Sequence, residues 1–173
     1  MKKLVFTLLL AITAIFAHAQ EKDYKTTLVA LLKSADNDFK DITGKMIAPI
    51  PDMEPAAVYT CIKGLGIGDE IITRNDSTGV AYYLLQIKEK DAAGLKRETN
   101  LLIDHIVKES KFTKEESKDE NGKPILLLKD KEGFKVLQTI QMTNDETEEE
   151  LYGIFIFGKT LKEQMKADED NSK

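Results

Sequence analysis

His105, Cys61 and the carboxylates of the Asp145–Glu150 stretch are the side chains that could do chemistry here. A zinc site draws about four nitrogen or sulfur ligands, and nucleophilic triads need a histidine beside the nucleophile. Beyond His18 in an N-terminal leader, the chain has one histidine and one cysteine. Most zinc, haem and triad chemistry is therefore excluded, and a Cys61–His105 dyad is the one thiol option, with no protease signature around either residue. Helical spacing puts His105 on a flank with Glu98, Leu101 and Glu109, where a solvated histidine is expected and a catalytic base is the alternative. Cys61 lies in an apolar run, Val58 to Ile62. A buried, inert thiol is expected there, a reactive or dimer-bridging one being the alternative.

Gly64-Leu65-Gly66-Ile67-Gly68 invites comparison with a dinucleotide loop. Its third glycine comes one residue early, and the β-branched segment that follows offers no helix N-terminus to a phosphate, so a strand connection is expected. Asp145, Glu146, Glu148, Glu149 and Glu150 are the densest acidic cluster; without the ordered spacing and glycine of a calcium loop they read as a solvated hairpin tip, with cation binding the alternative. Paired carboxylates for glycoside hydrolysis remain open, although the chain has no tryptophan to form a sugar platform. No metal site and no cofactor is expected.

The element that must organise these residues is the stretch from Asp91 to Ser110. Ala92, Leu95, Leu102, Ile103 and Ile106 recur at helical steps, and Asp91 suits the N-cap. An earlier amphipathic helix is expected from about Asp23 to Thr43 (Leu28, Leu31, Leu32, Ala35, Phe39, Ile42), closed by Gly44 as a left-handed cap. Met46 to Pro55 holds three of the four prolines and reads as an extended connector. Its Ile47, Ile50 and Met53 either lie across an open end of the core or form an exposed lip that grips a partner; they are the candidate binding residues. Strands are expected at Ala57–Lys63, Glu70–Arg74, Val80–Lys88, Lys111–Glu120, Pro124–Lys129, Phe134–Met142 and Leu151–Gly158. Asn75 to Gly79 closes one hairpin, and Asn121-Gly122 reads as a type I′ turn. Thr160 with Glu163 reads as a capping box for a short last helix, before a disordered tail over residues 167–173.

The expected fold is α+β: two halves, each a helix followed by an antiparallel meander, with the helices packed on one face of the sheet. Residues 1–19 read as a signal peptide, with Lys2 and Lys3 before an apolar run and Ala17-His18-Ala19 at the cleavage site. Residues 20–166 form a single domain. No later segment is long and apolar enough for a membrane span. Loss of Lys2 and Lys3 takes the net charge from −5 to −7, a poor match to nucleic acid. A periplasmic or secreted location is expected.

The leader ending in Ala19-Gln20, the lysine- and glutamate-rich body and the segment LLKSADNDFKDITGK (residues 31–45) resemble small exported proteins of the Bacteroidota with no characterised activity. The element order and acidity also resemble type III secretion chaperones, which bind extended partner segments, although the leader departs from that cytoplasmic family. The missing catalytic constellation, the apolar connector and the abundant strand edges point to an exported, non-catalytic binding module, with strand addition as its mode. A carrier of a small apolar ligand between helices and sheet is the second reading, drawn from Leu84, Leu85, Phe134, Phe155 and Phe157. A hydrolase using carboxylates is the third.

Overall fold

The computed structural model describes residues 24–171 except 52, 54, 110–111 and 145–146, and of residues 169–171 the backbone alone. The expected signal peptide lies outside the described residues. Helix α1 covers residues 24–34. Four strands follow, β1 (Thr43–Pro49), β2 (Ala56–Cys61), β3 (Asp69–Asn75) and β4 (Ala81–Lys88), and then helix α2 (Ala93–Glu109). Strands β5 (Thr113–Lys118), β6 (Pro124–Lys129), β7 (Lys135–Thr143) and β8 (Glu150–Phe157) lead to helix α3 (Lys159–Asn171). All eight strands join one sheet in the order β1-β2-β3-β4-β8-β7-β6-β5, every neighbouring pair antiparallel. The fold is α+β, mostly sheet, and open, with β1 and β5 as its edges.

Side chains alternate across a strand, so the pairing register sorts them by face. Ile72 pairs with Tyr83, Tyr83 with Ile156, and Ile156 with Leu137. This row, together with Leu85, Ile154 and Tyr152, joins Leu28 and Leu31 of α1 and Leu95, Leu102 and Ile103 of α2 in one buried cluster. The opposite parity carries Ile71, Leu84 and Phe155, paired across β3, β4 and β8, all half-buried and outside that cluster. Ile140, Phe155 and Phe157 therefore face the other way, as does Leu84. Strand β8 is apolar at both parities, so its pattern does not choose a face. Val136 does reach the helix side. It is the extra residue where β6 and β7 lose register, between the pairs Leu128↔Leu137 and Lys129↔Lys135, and a bulge turns two successive side chains to one side.

Several local expectations are corrected. Helix α1 stops at residue 34, and a 3-10 turn (Ala35–Asn37) leads to two left-handed residues, Asp38 (φ 57°) and Phe39 (φ 59°). The N–H of Phe39 donates to Ser34 O at 3.0 Å and that of Asp38 to Ala35 O at 3.2 Å, the paired bonds of a Schellman ending, so Asp38 takes the place normally given to glycine. Gly44 is instead in β1, where an added Cβ would lie 2.3 Å from Thr60 Oγ1: it serves close strand approach. The extended connector is partly a strand, because β1 is an edge whose outer N–H groups need no partner, and proline is tolerated there. Asp91 falls in a 3-10 turn (Glu89–Asp91), and α2 starts two residues later, at Ala93. At Asn121-Gly122 only Gly122 has positive φ (76°); Asp119 Oδ1 accepts the N–H groups of Asn121 and Lys123, giving a longer turn than type I′. Helix α3 runs through Asn171, into the stretch expected to be a disordered tail, where no glycine or proline stops it.

Candidate binding surface

The three candidate residues lie on β1 and in its connection to β2. Register slips between Met46, opposite Tyr59, and Ala48, opposite Val58, so Ile47 is a bulged residue with no partner on β2. Ile47 is 56% exposed and Met46 61%. Ile50 is half-buried, and its N–H donates to Ala56 O at 2.9 Å. Met53, 61% exposed, is tied back by its N–H to Ile50 O at 3.3 Å and accepts from Ala56 N–H at 2.7 Å. This tight reversal holds Met53 at the rim of a groove of about 220 Å³ lined by Thr73, Val80, Tyr82 and Gln164. Ile62, the residue after β2, donates its N–H to Ile42 O beside the start of β1 and is also exposed. Among the described residues five large hydrophobic side chains are exposed; Met46 and Ile47 are on β1, Ile62 follows β2 beside it, and Met53, in the β1–β2 connection, lies near the ends of β3 and β4. The other edge, β5, reads Thr-Lys-Glu-Glu-Ser-Lys. Charge of that kind blocks strand addition, whereas the β1 edge has Lys45 as its only charge.

The glycine loop does bind an anion, and the anion is the chain's own. Glu70 accepts N–H bonds from Leu65 (2.7 Å), Gly66 (2.6 Å) and Ile67 (3.1 Å), and the Tyr83 hydroxyl donates to it at 2.7 Å. Successive amides folded into a concavity make such a nest. A Cβ at Gly64 would fall 1.5 Å from Glu70 Oε2, so glycine is required for the carboxylate to enter. Burial, with the Glu70 charge beside it, drives the Tyr83 hydroxyl far above its ordinary range.

Cys61 is half-buried, and burial raises its thiol, which suppresses the reactive thiolate. It cannot form a dyad with His105. Cys61 is on β2, and His105, exposed on α2, lines a cleft with Leu128 of β6 and Val136 of β7. Strands β3, β4 and β8 lie between, roughly 19 Å at about 4.8 Å per strand. In the acidic hairpin, Asp145 and Glu146 lie outside the described residues. Glu149 pairs with Lys88 at 2.6 Å and Glu150 with Lys123 at 2.7 Å, so those carboxylates serve cross-strand pairs. Among the described residues no three histidine, cysteine, aspartate or glutamate side chains are grouped to hold a metal, and no described helix is long and apolar enough to cross a membrane.

The carrier residues separate. Leu85 is in the core; Leu84, Phe155 and Phe157 occupy the opposite face. Phe134 lies under the Lys166 ammonium at 5.8 Å. A polar cluster that sequence reasoning missed fills the space between α2 and β7–β8. Glu89 pairs with Lys96 and accepts from Gln141 Nε2 at 2.9 Å, while the Lys96 ammonium sits 5.0 Å from the centre of the Tyr152 ring. Lysine seven residues beyond the glutamate was the available signal, but the 3-10 turn that lets them meet was not legible. Compared with family models, curated proteins and solved structures, the chain finds no match.

Proposed function

We propose that the protein is an exported, non-catalytic module that binds another polypeptide by taking an extended segment against β1. The observation that carries this reading is the contrast between the two sheet edges: one charged, the other flanked by Met46, Ile47 and Ile62. An added strand would satisfy the outer backbone groups of β1, and Ile47 would supply the apolar contact that selects it. Export through cleavage before Gln20 belongs to the same proposal.

The architecture is part of this reading: two helix-plus-meander halves, joined where β4 meets β8, with the helices on one sheet face. Support comes from a repeated turn. Asn75 and Thr78 stand three apart where β3 turns to β4, as Asn144 and Thr147 do where β7 turns to β8. In each, asparagine Oδ1 accepts the threonine N–H at 3.1 Å, and the next residue, Gly79 or Glu148, is left-handed. Eight residues beyond each asparagine stands a buried tyrosine, Tyr83 or Tyr152.

The test is capture from the envelope of the producing cell, using the wild-type protein, Ile47→Lys and the opposite-edge control Glu116→Ala. Retention by wild type and control, loss with Ile47→Lys, and slowed amide exchange confined to β1 are expected. Equal capture by all three, or protection elsewhere, would overturn the edge assignment.

A further inference from the structure

We infer that the cleft between α1, α2 and the β6–β7 part of the sheet is a binding site for a single-chain carboxylate amphiphile, a free fatty acid. It is separate from the β1 edge and rests on different residues. The cleft holds about 430 Å³, within the range of small-ligand pockets. It opens to solvent beside the core, between the helices and the β6–β7 part of the sheet.

The placement follows from a second stripe on α1. Leu28 and Leu31 enter the core, whereas Val29 and Leu32, one position on, stay half-buried and face the cleft. Leu102 and Ile106 of α2 form the facing wall, one turn apart, and Leu128 with Val136 forms the floor. Val136 is available because the β7 bulge turns it to this side. Phe112, just before β5, adds an aromatic wall. The interior thus offers hydrocarbon contacts and suits an acyl chain.

The head group is selected by the rim. Lys25 and Lys33 of α1 and Lys162 of α3 stand there with His105. Among the described residues none of the three rim lysines has a carboxylate within ion-pair distance, a state they share with other surface lysines such as Lys40, Lys45 and Lys108. Two carboxylates, Asp36 and Asp130, line the same cleft, so the three lysines leave the rim cationic by one charge. An acidic protein therefore carries a cationic rim over an apolar cleft, which complements a carboxylate on a hydrocarbon chain and not a neutral lipid.

The test uses the full chain, whose lack of tryptophan keeps the fluorescence background low. Dodecanoate, dodecanol and acetate compete against a fluorescent polyene fatty acid. Dodecanoate should displace the probe best, dodecanol weakly and acetate not at all, with affinity falling as salt rises. Lys25→Glu with Lys33→Glu should weaken dodecanoate roughly tenfold, the scale of two reversed surface charges, while Lys108→Glu should change nothing. Val29→Trp should abolish binding by filling the cleft. The lysine pair is decisive if that variant does not fold, since exposed lysines leave the core intact. Absence of dodecanoate binding, equal affinity for dodecanol, or indifference to the lysine pair would overturn the inference.

Discussion

Asp38 caps helix α3 through Thr160, 122 residues later: its Oδ1 accepts the N–H of Thr160 at 2.8 Å and its Oδ2 the Thr160 hydroxyl at 2.7 Å. The local capping box expected within α3 does not form, and Glu163 instead faces Lys159 at 3.6 Å. This bond explains why aspartate holds the left-handed position that ends α1: glycine there would fit the backbone but leave the first turn of α3 without an acceptor. Asp38→Ala should cost about 2 to 3 kcal/mol, combining a lost cap with strain at positive φ. Asp38→Asn, which tolerates that backbone and keeps one acceptor, should cost about 1 kcal/mol. Urea denaturation of both variants measures the difference, and equal losses would contradict the capping role.

Glu70 organises the glycine loop through three amides and one hydroxyl. Glu70→Gln removes the charge and replaces one acceptor oxygen with a donor that meets N–H or O–H groups. A loss of about 2 to 4 kcal/mol is expected, the scale of charge-assisted bonds made to a partly buried group. Amide exchange at Leu65, Gly66 and Ile67 should accelerate together. Unchanged exchange at those amides would show the loop to be held by other contacts.

The two faces of β8 can be separated by paired substitutions. Ile154 is fully buried in the core cluster, whereas Phe155, its neighbour, is half-buried on the other face. Ile154→Ala should cost about 2 to 5 kcal/mol and Phe155→Ala clearly less, despite its larger side chain. Chemical denaturation checks the ranking; a larger loss at Phe155 would mean that the register is shifted by one residue.

Leu102 is 1% exposed and His105, three residues on, is exposed. Leu102→Ala should cost about 2 to 5 kcal/mol, and His105→Ala less than about 0.5 kcal/mol. Thermal unfolding of the two variants is the check, with comparable shifts arguing for a different buried face of α2.

Tyr152 is 5% exposed, and burial is the main reason its hydroxyl is pushed up from 10 to about 12. A raised value means that the folded state holds the proton longer than the unfolded chain. The stability is fully present below pH 10 and is lost as pH rises toward 12. Tyr152→Phe should flatten that alkaline decline by roughly 3 kcal/mol at its upper end, and leave the slope near pH 7 unchanged. Denaturation across pH 8 to about 12 reads this out. The Lys96 ammonium over the ring and the Glu89 carboxylate face the same group, so Lys96→Met is the companion control.

Much of the element order was legible in the residues. Seven strands and the buried stripe of α2 follow from alternation, helical spacing and turn residues, all properties of neighbouring side chains. Prolines at 49, 51 and 55 exclude a central strand, but that the connector begins as the edge strand β1 was not legible, since it depends on pairing with β2. What the sequence could not decide depended on partners distant along the chain. Strand β8 is apolar at both parities, so only pairing between β4 and β7 chose Ile154 and Ile156 for the core. Asp38 and Phe39 continue a helical pattern, yet the cap owed to Thr160 ends the helix there. The glycine loop reads as a strand connection, and only the fold closes its amides around Glu70. Local periodicity determines which elements form; the choice of face, cap and counter-charge needs groups that meet only after the sheet has closed its register, because their free energy lies in contacts the unfolded chain does not make.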